Sequence, residues 1–150
     1  MAAEETYLPG SSSWSNSQVS AYEASDGARR GDLRGVPVII LTTRGRKSGA
    51  LRKVPLMRVT DGERYAVIAS LGGAPEHPVW YLNLLADPEV TLQDKDVRRR
   101  YRARTASGPE RQEWWDRAAA VWPYYNGYQA KTDREIPVVL LEPVSDDGDP

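Results

Sequence analysis

The chain has 150 residues, a length that fits one domain with a single core. Its 20 lysines and arginines are balanced by 21 acids, which argues against a nucleic-acid binder because such proteins carry a basic excess. The sequence has no cysteine, which excludes disulfides and thiolate chemistry, and its one histidine, His77, excludes sites that need two imidazoles.

The two ends of the chain have the composition of solvated tails around one domain. We predict a disordered tail at 1–12, a domain at 13–144 and an acidic tail at 145–150. Residues 1–20 have no apolar signal segment, and the longest apolar run, Val36 to Leu41, is too short to span a bilayer. We therefore expect a cytoplasmic protein.

In chain order, the patterning predicts three helices and about six strands. The first helix covers 13–24, where Trp14, Val19 and Tyr22 recur at helical spacing. A β-branched apolar run then begins a series of strands at 36–43, 52–59, 64–70, 90–93, 97–105 and 136–142. The second helix opens at His77-Pro78 and the third at a capping box of Ser107 and Glu110. Short hairpin links indicate a mainly β (α+β) protein with a closed or half-closed antiparallel barrel.

The first candidate site is the hairpin after the first long strand. Five basic residues fall within ten positions without an acid among them: Arg44, Arg46, Lys47, Arg52 and Lys53. Flanking glycines let backbone N–H groups turn toward a bound oxyanion, and guanidinium groups fit phosphate or carboxylate. A solvated hairpin tip also explains the pattern, and the pattern alone favours that alternative.

The second candidate site follows the third predicted strand. Ala69, Ser70 and Leu71 lead to Gly72-Gly73, where the backbone can approach a planar ligand closely. The next helix carries Trp80. An ordinary strand-to-helix turn with Trp80 in the core is the alternative.

The third candidate site is an aromatic segment after the last helix. Trp122, Tyr124, Tyr125 and Tyr128 surround an Asn-Gly pair, so we expect a loop that forms an aromatic wall over a cleft. A phenol can donate a proton or a hydrogen bond to a carbonyl that is being reduced. The alternative, which the pattern alone slightly favours, is that these rings cover one end of the barrel.

Two other features are interpreted as structural. Arg98, Arg100, Arg102 and Arg104 alternate along one strand, so they share one face. Because the protein is slightly acidic, we interpret this face as solvated and paired with carboxylates rather than as a nucleic-acid surface. We also interpret His77 as structural.

Taken in order, these segments resemble the deazaflavin (coenzyme F420)-dependent nitroreductase family, the split β-barrel reductases of actinobacteria. The likeness runs from about Leu33 to Pro143. The matching stretches are Leu41 to Gly49, Arg52, Pro55-Leu56, Ala69-Ser70, Gly72 to Ala74, Pro78 to Leu84, Asp87-Pro88, Tyr125, Tyr128-Gln129, Thr132 to Arg134, Ile136-Pro137 and Glu142-Pro143.

The resemblance implies an antiparallel split β-barrel that transfers a hydride from reduced F420 to an enone, a quinone or a nitro compound. It implies that the cofactor's phosphate and glutamate tail are held by Arg46, Lys47, Ser48 and Arg52. It places the deazaflavin ring near Pro55, Leu56, Ala69, Ser70, Gly72, Gly73 and Trp80. The substrate pocket would contain Met57, Trp122, Tyr125 and Tyr128, and the catalytic candidates are Ser70, Tyr125 and Tyr128.

Met57, Leu71 and Trp122 depart from the nitroimidazole-activating members, where a tyrosine, a lysine and a tyrosine stand. Two alternative functions stay open: an FMN-dependent oxidoreductase on the same barrel, and a non-catalytic F420-binding protein. Weak membrane contact through the N-terminal helix is a further expectation, although that helix has no dense basic face. The oligomeric state stays open.

Overall fold

The computed structural model describes residues 13–144, with side chains from Ser15 onward. The predicted tails at 1–12 and 145–150 lie outside the described residues. No helix in the described part is long and apolar enough to cross a membrane.

Within this range the chain forms seven strands, four α-helices and one short 3-10 turn at Leu71–Gly73. The strands are β1 (Asp32–Leu33), β2 (Val36–Arg44), β3 (Leu51–Met57), β4 (Tyr65–Ile68), β5 (Glu89–Asp94), β6 (Val97–Thr105) and β7 (Val138–Pro143). The helices are α1 (Ser13–Ala24), α2 (Val79–Ala86), α3 (Gly108–Val121) and α4 (Tyr124–Ala130).

The strands form one antiparallel sheet that curls into a split barrel. Its order is β1-β2-β5-β6-β7-β4, and β3 pairs with β2. Along their lengths β3 and β4 do not pair with each other, but the Ala66 N–H donates to the Val59 carbonyl (2.9 Å) and joins the two at one end. The split β-barrel prediction is confirmed.

Side chains on the two faces of the sheet build two apolar clusters. Along β4 and its extension, Val67 and Ala69 face the barrel interior, while Ala66 and Ile68 face outward, as a period of two requires. α3 and α4 cover the outward face with Trp114, Trp115, Ala118, Trp122 and Tyr125. We call the inward-facing cluster, which contains Val67 and Ala69, the interior cluster. The outward-facing one is the outer cluster, and its buried members are Val59, Ala66, Ile68, Ala106, Trp114, Trp115, Ala118, Trp122, Tyr125, Ile136, Val138 and Leu140.

α1 packs on the outside of the barrel. Val19 and Tyr22 are fully buried against Ile40 of β2, and the Tyr22 hydroxyl accepts a hydrogen bond from the Lys95 N–H (2.6 Å). These contacts turn the apolar face of α1 toward the barrel. Membrane contact through this helix stays a prediction.

Two local predictions were wrong. The segment expected as an aromatic loop is the helix α4, because Pro123 presets a helical φ of −59° and burial of Tyr125 outweighs the Asn-Gly turn signal. The Ser107 side chain makes no capping bond. Glu110 accepts two hydrogen bonds from Arg104 (2.7 and 3.0 Å) instead of completing the predicted capping box.

The prediction of an ion-paired arginine face is confirmed. Arg98 pairs with Asp26 (3.7 Å), Arg102 with Glu89 (2.8 Å), and Arg104 with both Glu110 and Glu142. On the opposite face of β6, Tyr101 and Ala103 are buried. Arg98, Arg102 and Arg104 are therefore paired with carboxylates on the protein surface.

Candidate functional site

The basic hairpin between β2 and β3 is a tight turn closed by its own backbone. The Gly45 N–H donates to the Ala50 carbonyl (2.7 Å), and the Gly49 N–H donates to the Gly45 carbonyl (2.8 Å). A Cβ atom on Gly45 would lie 2.8 Å from Ser48 Oγ, closer than carbon and oxygen can approach. Glycine at position 45 therefore leaves room for the Ser48 hydroxyl inside the turn.

The buried side chain of Asn83 attaches this hairpin to α2. Its Oδ1 accepts a hydrogen bond from the Arg46 N–H (3.1 Å), and its Nδ2 donates to Thr43 Oγ1 (3.3 Å). Asn83 is 2% exposed, so water does not compete for these bonds. The sequence contained Asn83 within the matching helix segment, but nothing in the pattern showed its partner.

A cleft of about 190 Å³ opens between the hairpin and α2, lined by Gly45, Arg46, Lys47, Ser48, Arg52, Val79 and Asn83. It contains all four residues predicted to hold the cofactor's phosphate and tail. Within residues 13–144, the charged ends of Arg46 and Lys47 have no ion-pair or hydrogen-bond partner, in contrast to Arg98, Arg102 and Arg104 of β6. This donor set suits a bound anion.

The chain then forms a left-handed turn after β4. Ser70 is 8% exposed, and the next three residues have positive φ angles of 46°, 63° and 86° at Leu71, Gly72 and Gly73. A Cβ atom on Gly73 would lie 2.6 Å from the Tyr128 carbonyl oxygen. The glycine therefore allows the turn to pack directly against α4, which brings the second and third predicted sites together.

Arg134 holds this turn from behind. Its guanidinium donates to the carbonyls of Ser70 (Nη2, 2.8 Å), Ala69 (Nη1, 3.1 Å) and Ala74 (Nε, 2.8 Å). His77 Nδ1 lies 3.1 Å from Arg134 Nη1, which fits the structural role predicted for His77. Arg134 appeared in the sequence only as part of a matching stretch, with no role assigned.

Residues expected around the cofactor ring and residues expected in the substrate pocket fall in different apolar clusters. Leu56, Ala69 and Trp80 belong to the interior cluster, whereas Met57 packs against the outer cluster. Ala69 is fully buried, and its N–H donates to the Pro137 carbonyl (3.0 Å). We therefore expect Ala69 to shape the site through its neighbours, while Pro55 of β3 is half-buried and accessible.

The residues expected to form the aromatic wall are Trp122, two residues before α4, and the tyrosines Tyr124, Tyr125 and Tyr128 of α4 itself. Tyr125 and Tyr128 meet edge to face, with ring centroids 6.0 Å apart, and Trp122 Nε1 donates to the Tyr128 hydroxyl (3.4 Å). Burial raises the pKa of Tyr125, and the neighbouring Tyr128 adds to the shift. Tyr125 is therefore a neutral phenol at ordinary pH, able to donate a hydrogen bond. Tyr124 is exposed and accepts from Arg34 Nη1 (3.3 Å).

Residues 14–143 match the family model described as F420H(2)-dependent quinone reductase. The chain belongs to this family. A Mycobacterium tuberculosis protein (strain ATCC 25618 / H37Rv), Rv3178, which is provisionally named as an F420H(2)-dependent quinone reductase, is 39% identical over 108 residues. That match covers 72% of this chain and 91% of Rv3178. The family indicates an F420-dependent oxidoreductase with reduced coenzyme F420 as its cofactor.

Two solved structures are similar to this chain, and one of them is named as an F420-dependent reductase. An F420-H2 dependent reductase, FDR-A, is 48% identical with a TM-score of 0.67, and the match covers 71% of this chain and 94% of that one. A structure described as a domain-swapped dimer is 44% identical with a TM-score of 0.71, covering 85% of this chain and 93% of that one. The resemblance to F420-dependent reductases inferred from the sequence is confirmed.

Proposed function

We propose that this chain catalyses hydride transfer from reduced F420 to a quinone, with enones and nitro compounds as further acceptors. The observation that carries the proposal is the cleft at the basic hairpin, where Arg46 and Lys47 have no partner within residues 13–144. The relatives named as quinone reductases support the choice of acceptor.

The residues present fit the anionic half of the cofactor. Arg46, Lys47 and Arg52 offer donors and positive charge to a phosphate and its glutamate tail. Ser48 Oγ accepts from the Ala50 N–H (3.1 Å), and its own hydroxyl proton can be donated to the same anion. Asn83 fixes the Arg46 backbone, so the hairpin does not have to be ordered at the moment of binding. We assign these four residues to the tail, and Pro55, Leu56, Gly72, Gly73 and Trp80 to the edges of the ring.

Bound reduced F420 supplies the hydride, and the protein supplies position and hydrogen bonds. A quinone takes up the hydride and one proton to become a hydroquinone, and negative charge develops on its oxygen during the transfer. The Ser70 hydroxyl has no hydrogen-bond partner within residues 13–144, and neither has that of Tyr125. One such donor contributes roughly 2.7–4 kcal/mol to stabilising an oxyanion.

We assign the acceptor pocket to Met57, Trp122, Tyr125 and Tyr128, with Ser70, Tyr125 and Tyr128 as catalytic candidates. The support is that all four pocket residues pack in or against the outer cluster, and that the Ser70 turn touches α4 at Tyr128. The neutral phenol of Tyr125 suits a donor role, and Tyr128 is half-buried at its side.

Titration of the purified protein with oxidised F420 and with FMN, followed by tryptophan fluorescence, tests the cofactor. Oxidation of reduced F420 by menadione, cyclohexenone and a nitroimidazole then tests the acceptor. FMN binding without F420 binding would identify a flavin oxidoreductase. F420 binding without turnover of any acceptor would identify a non-catalytic binder.

Arg46→Gln provides the matched site variant. Losing a charge-assisted hydrogen bond of about 1.5–3 kcal/mol should weaken F420 binding roughly 10- to 150-fold. Arg98→Gln, which removes a surface arginine already paired with Asp26, should leave the affinity unchanged. Equal affinities for both variants would contradict the placement of the tail.

A further inference from the structure

The guanidinium of Arg134 makes several hydrogen bonds beside the proposed site, yet it has no role in binding F420 or the acceptor. Three of its nitrogen atoms donate to three backbone carbonyls, those of Ala69, Ser70 and Ala74, at 2.8 to 3.1 Å. These carbonyls span the whole left-handed turn. One side chain therefore fixes the course of the backbone through Ser70.

Arg134 is itself held in place. Gln129 Nε2 donates to the Arg134 carbonyl (2.8 Å), and Gln129 Oε1 accepts from the Ile136 N–H (2.9 Å). Ile136 is fully buried in the outer cluster. Through these bonds Arg134 connects the turn to α4 and to the buried residue Ile136.

Holding the carbonyls on one side has a consequence for the opposite side. In a trans peptide the C=O and the following N–H point in opposite directions, so the Leu71 N–H points away from Arg134. The Gly72 carbonyl accepts from Lys131 Nζ (3.2 Å), and the Leu71 carbonyl accepts from the Ala74 N–H (3.1 Å). The N–H groups of Leu71 and Gly72 have no acceptor within residues 13–144, and both residues are exposed.

The turn also requires a restraint because its conformation is unfavourable for one of its residues. Leu71 has a side chain and a φ of +46°, a region that residues other than glycine rarely adopt. Without a restraint, Leu71 would relax to a negative φ angle, and this change would move the neighbouring Ser70. The three carbonyl bonds of Arg134 oppose that relaxation.

We propose that Arg134 is a positioning residue of the reductase: it sets the turn so that the Ser70 hydroxyl and the outward N–H groups face the bound reactants. This inference rests on the proposed function. Arg134 does not touch cofactor or acceptor; it acts through the backbone it holds. Its loss should therefore impair the chemical step more than the binding of the cofactor's phosphate end, which lies at the Asn83-bound hairpin.

Arg134→Gln and Arg134→Lys test this role against Arg111→Gln. Arg111 is the matched control because its Nη2 also donates to a buried backbone carbonyl, that of Ile136 (2.7 Å), but it does not contact the turn. A misplacement of reacting groups by about 1 Å costs roughly 100-fold in rate, so we expect kcat with menadione to fall about 100-fold in Arg134→Gln. Arg134→Lys should recover part of this loss. Arg111→Gln should lower Tm by about as much as Arg134→Gln does but keep the wild-type kcat.

The expected split is a large fall in kcat with the Kd for oxidised F420 changed less than tenfold. Equal kcat losses in the Arg134 and Arg111 variants at equal Tm loss, or an unchanged kcat in Arg134→Gln, would overturn the proposal. The ¹⁵N–¹H spectrum of the protein without cofactor gives a separate readout. The Leu71 and Gly72 amide signals should move in Arg134→Gln and stay in Arg111→Gln.

These arms separate two failures. If the wild-type protein binds no F420, the proposed function is wrong. The positioning role of Arg134 in the reductase is then wrong as well, even if the amide signals move in Arg134→Gln. If the Leu71 and Gly72 amide signals do not move in Arg134→Gln, the positioning role is wrong, but the proposed F420-dependent reduction of quinones still stands.

Discussion

Replacing Asn83 by alanine should weaken cofactor binding, because the buried Asn83 side chain holds the backbone of the hairpin that lines the cleft. The change removes the acceptor for the Arg46 N–H and the donor to Thr43 Oγ1, and Thr43 is 1% exposed. Loss of a partner by a buried polar group costs about 1–3 kcal/mol in the free energy of unfolding. The hairpin also loses its attachment to α2, so its backbone becomes free to move before ligand binds.

The cost of ordering the hairpin then appears in the binding constant. Fixing the backbone of one residue costs about 1–2 kcal/mol, which corresponds to a roughly 5- to 30-fold increase in the Kd for F420. A fluorescence titration with oxidised F420 measures the Kd, and thermal unfolding measures the stability. We expect the KM for menadione to change little because the aromatic wall is not touched.

Thr60→Ala is the control for a general loss of stability. Thr60 Oγ1 donates to the Arg64 carbonyl (2.7 Å) and accepts from the Gly62 N–H (3.0 Å), so two hydrogen bonds are again lost, in a turn at the opposite end of β3. This variant should have a lower Tm and the wild-type Kd. An Asn83→Ala protein with the wild-type Kd for F420 would refute the reasoning.

Two further predictions concern the aromatic wall and the pH dependence of stability. Tyr128→Phe should lower kcat about tenfold or more, because it removes one hydrogen-bond donor near the bound acceptor. The Kd for F420 should change little, because the protein loses only the long hydrogen bond from Trp122. Steady-state kinetics and a binding titration measure the two effects, and equal losses in kcat and affinity would contradict the assignment. The pKa of Asp61 is lowered mainly by the Arg64 N–H and then by the Glu63 N–H, so its contribution is present above the ordinary carboxyl pKa and is lost as pH falls through the lowered value. Asp61→Asn should therefore lower the urea midpoint at pH 7, and this loss should shrink as the pH falls through the lowered pKa of Asp61. A loss that stays the same on acidification would contradict this account.

Local patterns determined most of the scaffold of this protein. The alternation in β6 identified its buried Tyr101 and Ala103 and its ion-paired arginines, since a strand places successive side chains on opposite faces. The ordered motifs identified the family, and with it four of the residues that line the cleft at the basic hairpin: Arg46, Lys47, Ser48 and Arg52. Each of these signals involves residues close together in the chain.

The positions of Asn83 and Arg134 were decided by the tertiary structure. Asn83 lies 37 residues from the Arg46 amide that it binds, and Arg134 lies 64 residues from the Ser70 carbonyl that it binds. Glu110 likewise bonds Arg104 in preference to its own helix end, and α4 forms because Tyr125 is buried among residues of other elements. A sequence pattern cannot show these partners, because a hydrogen bond depends on where the folded chain places two groups and not on their separation along it.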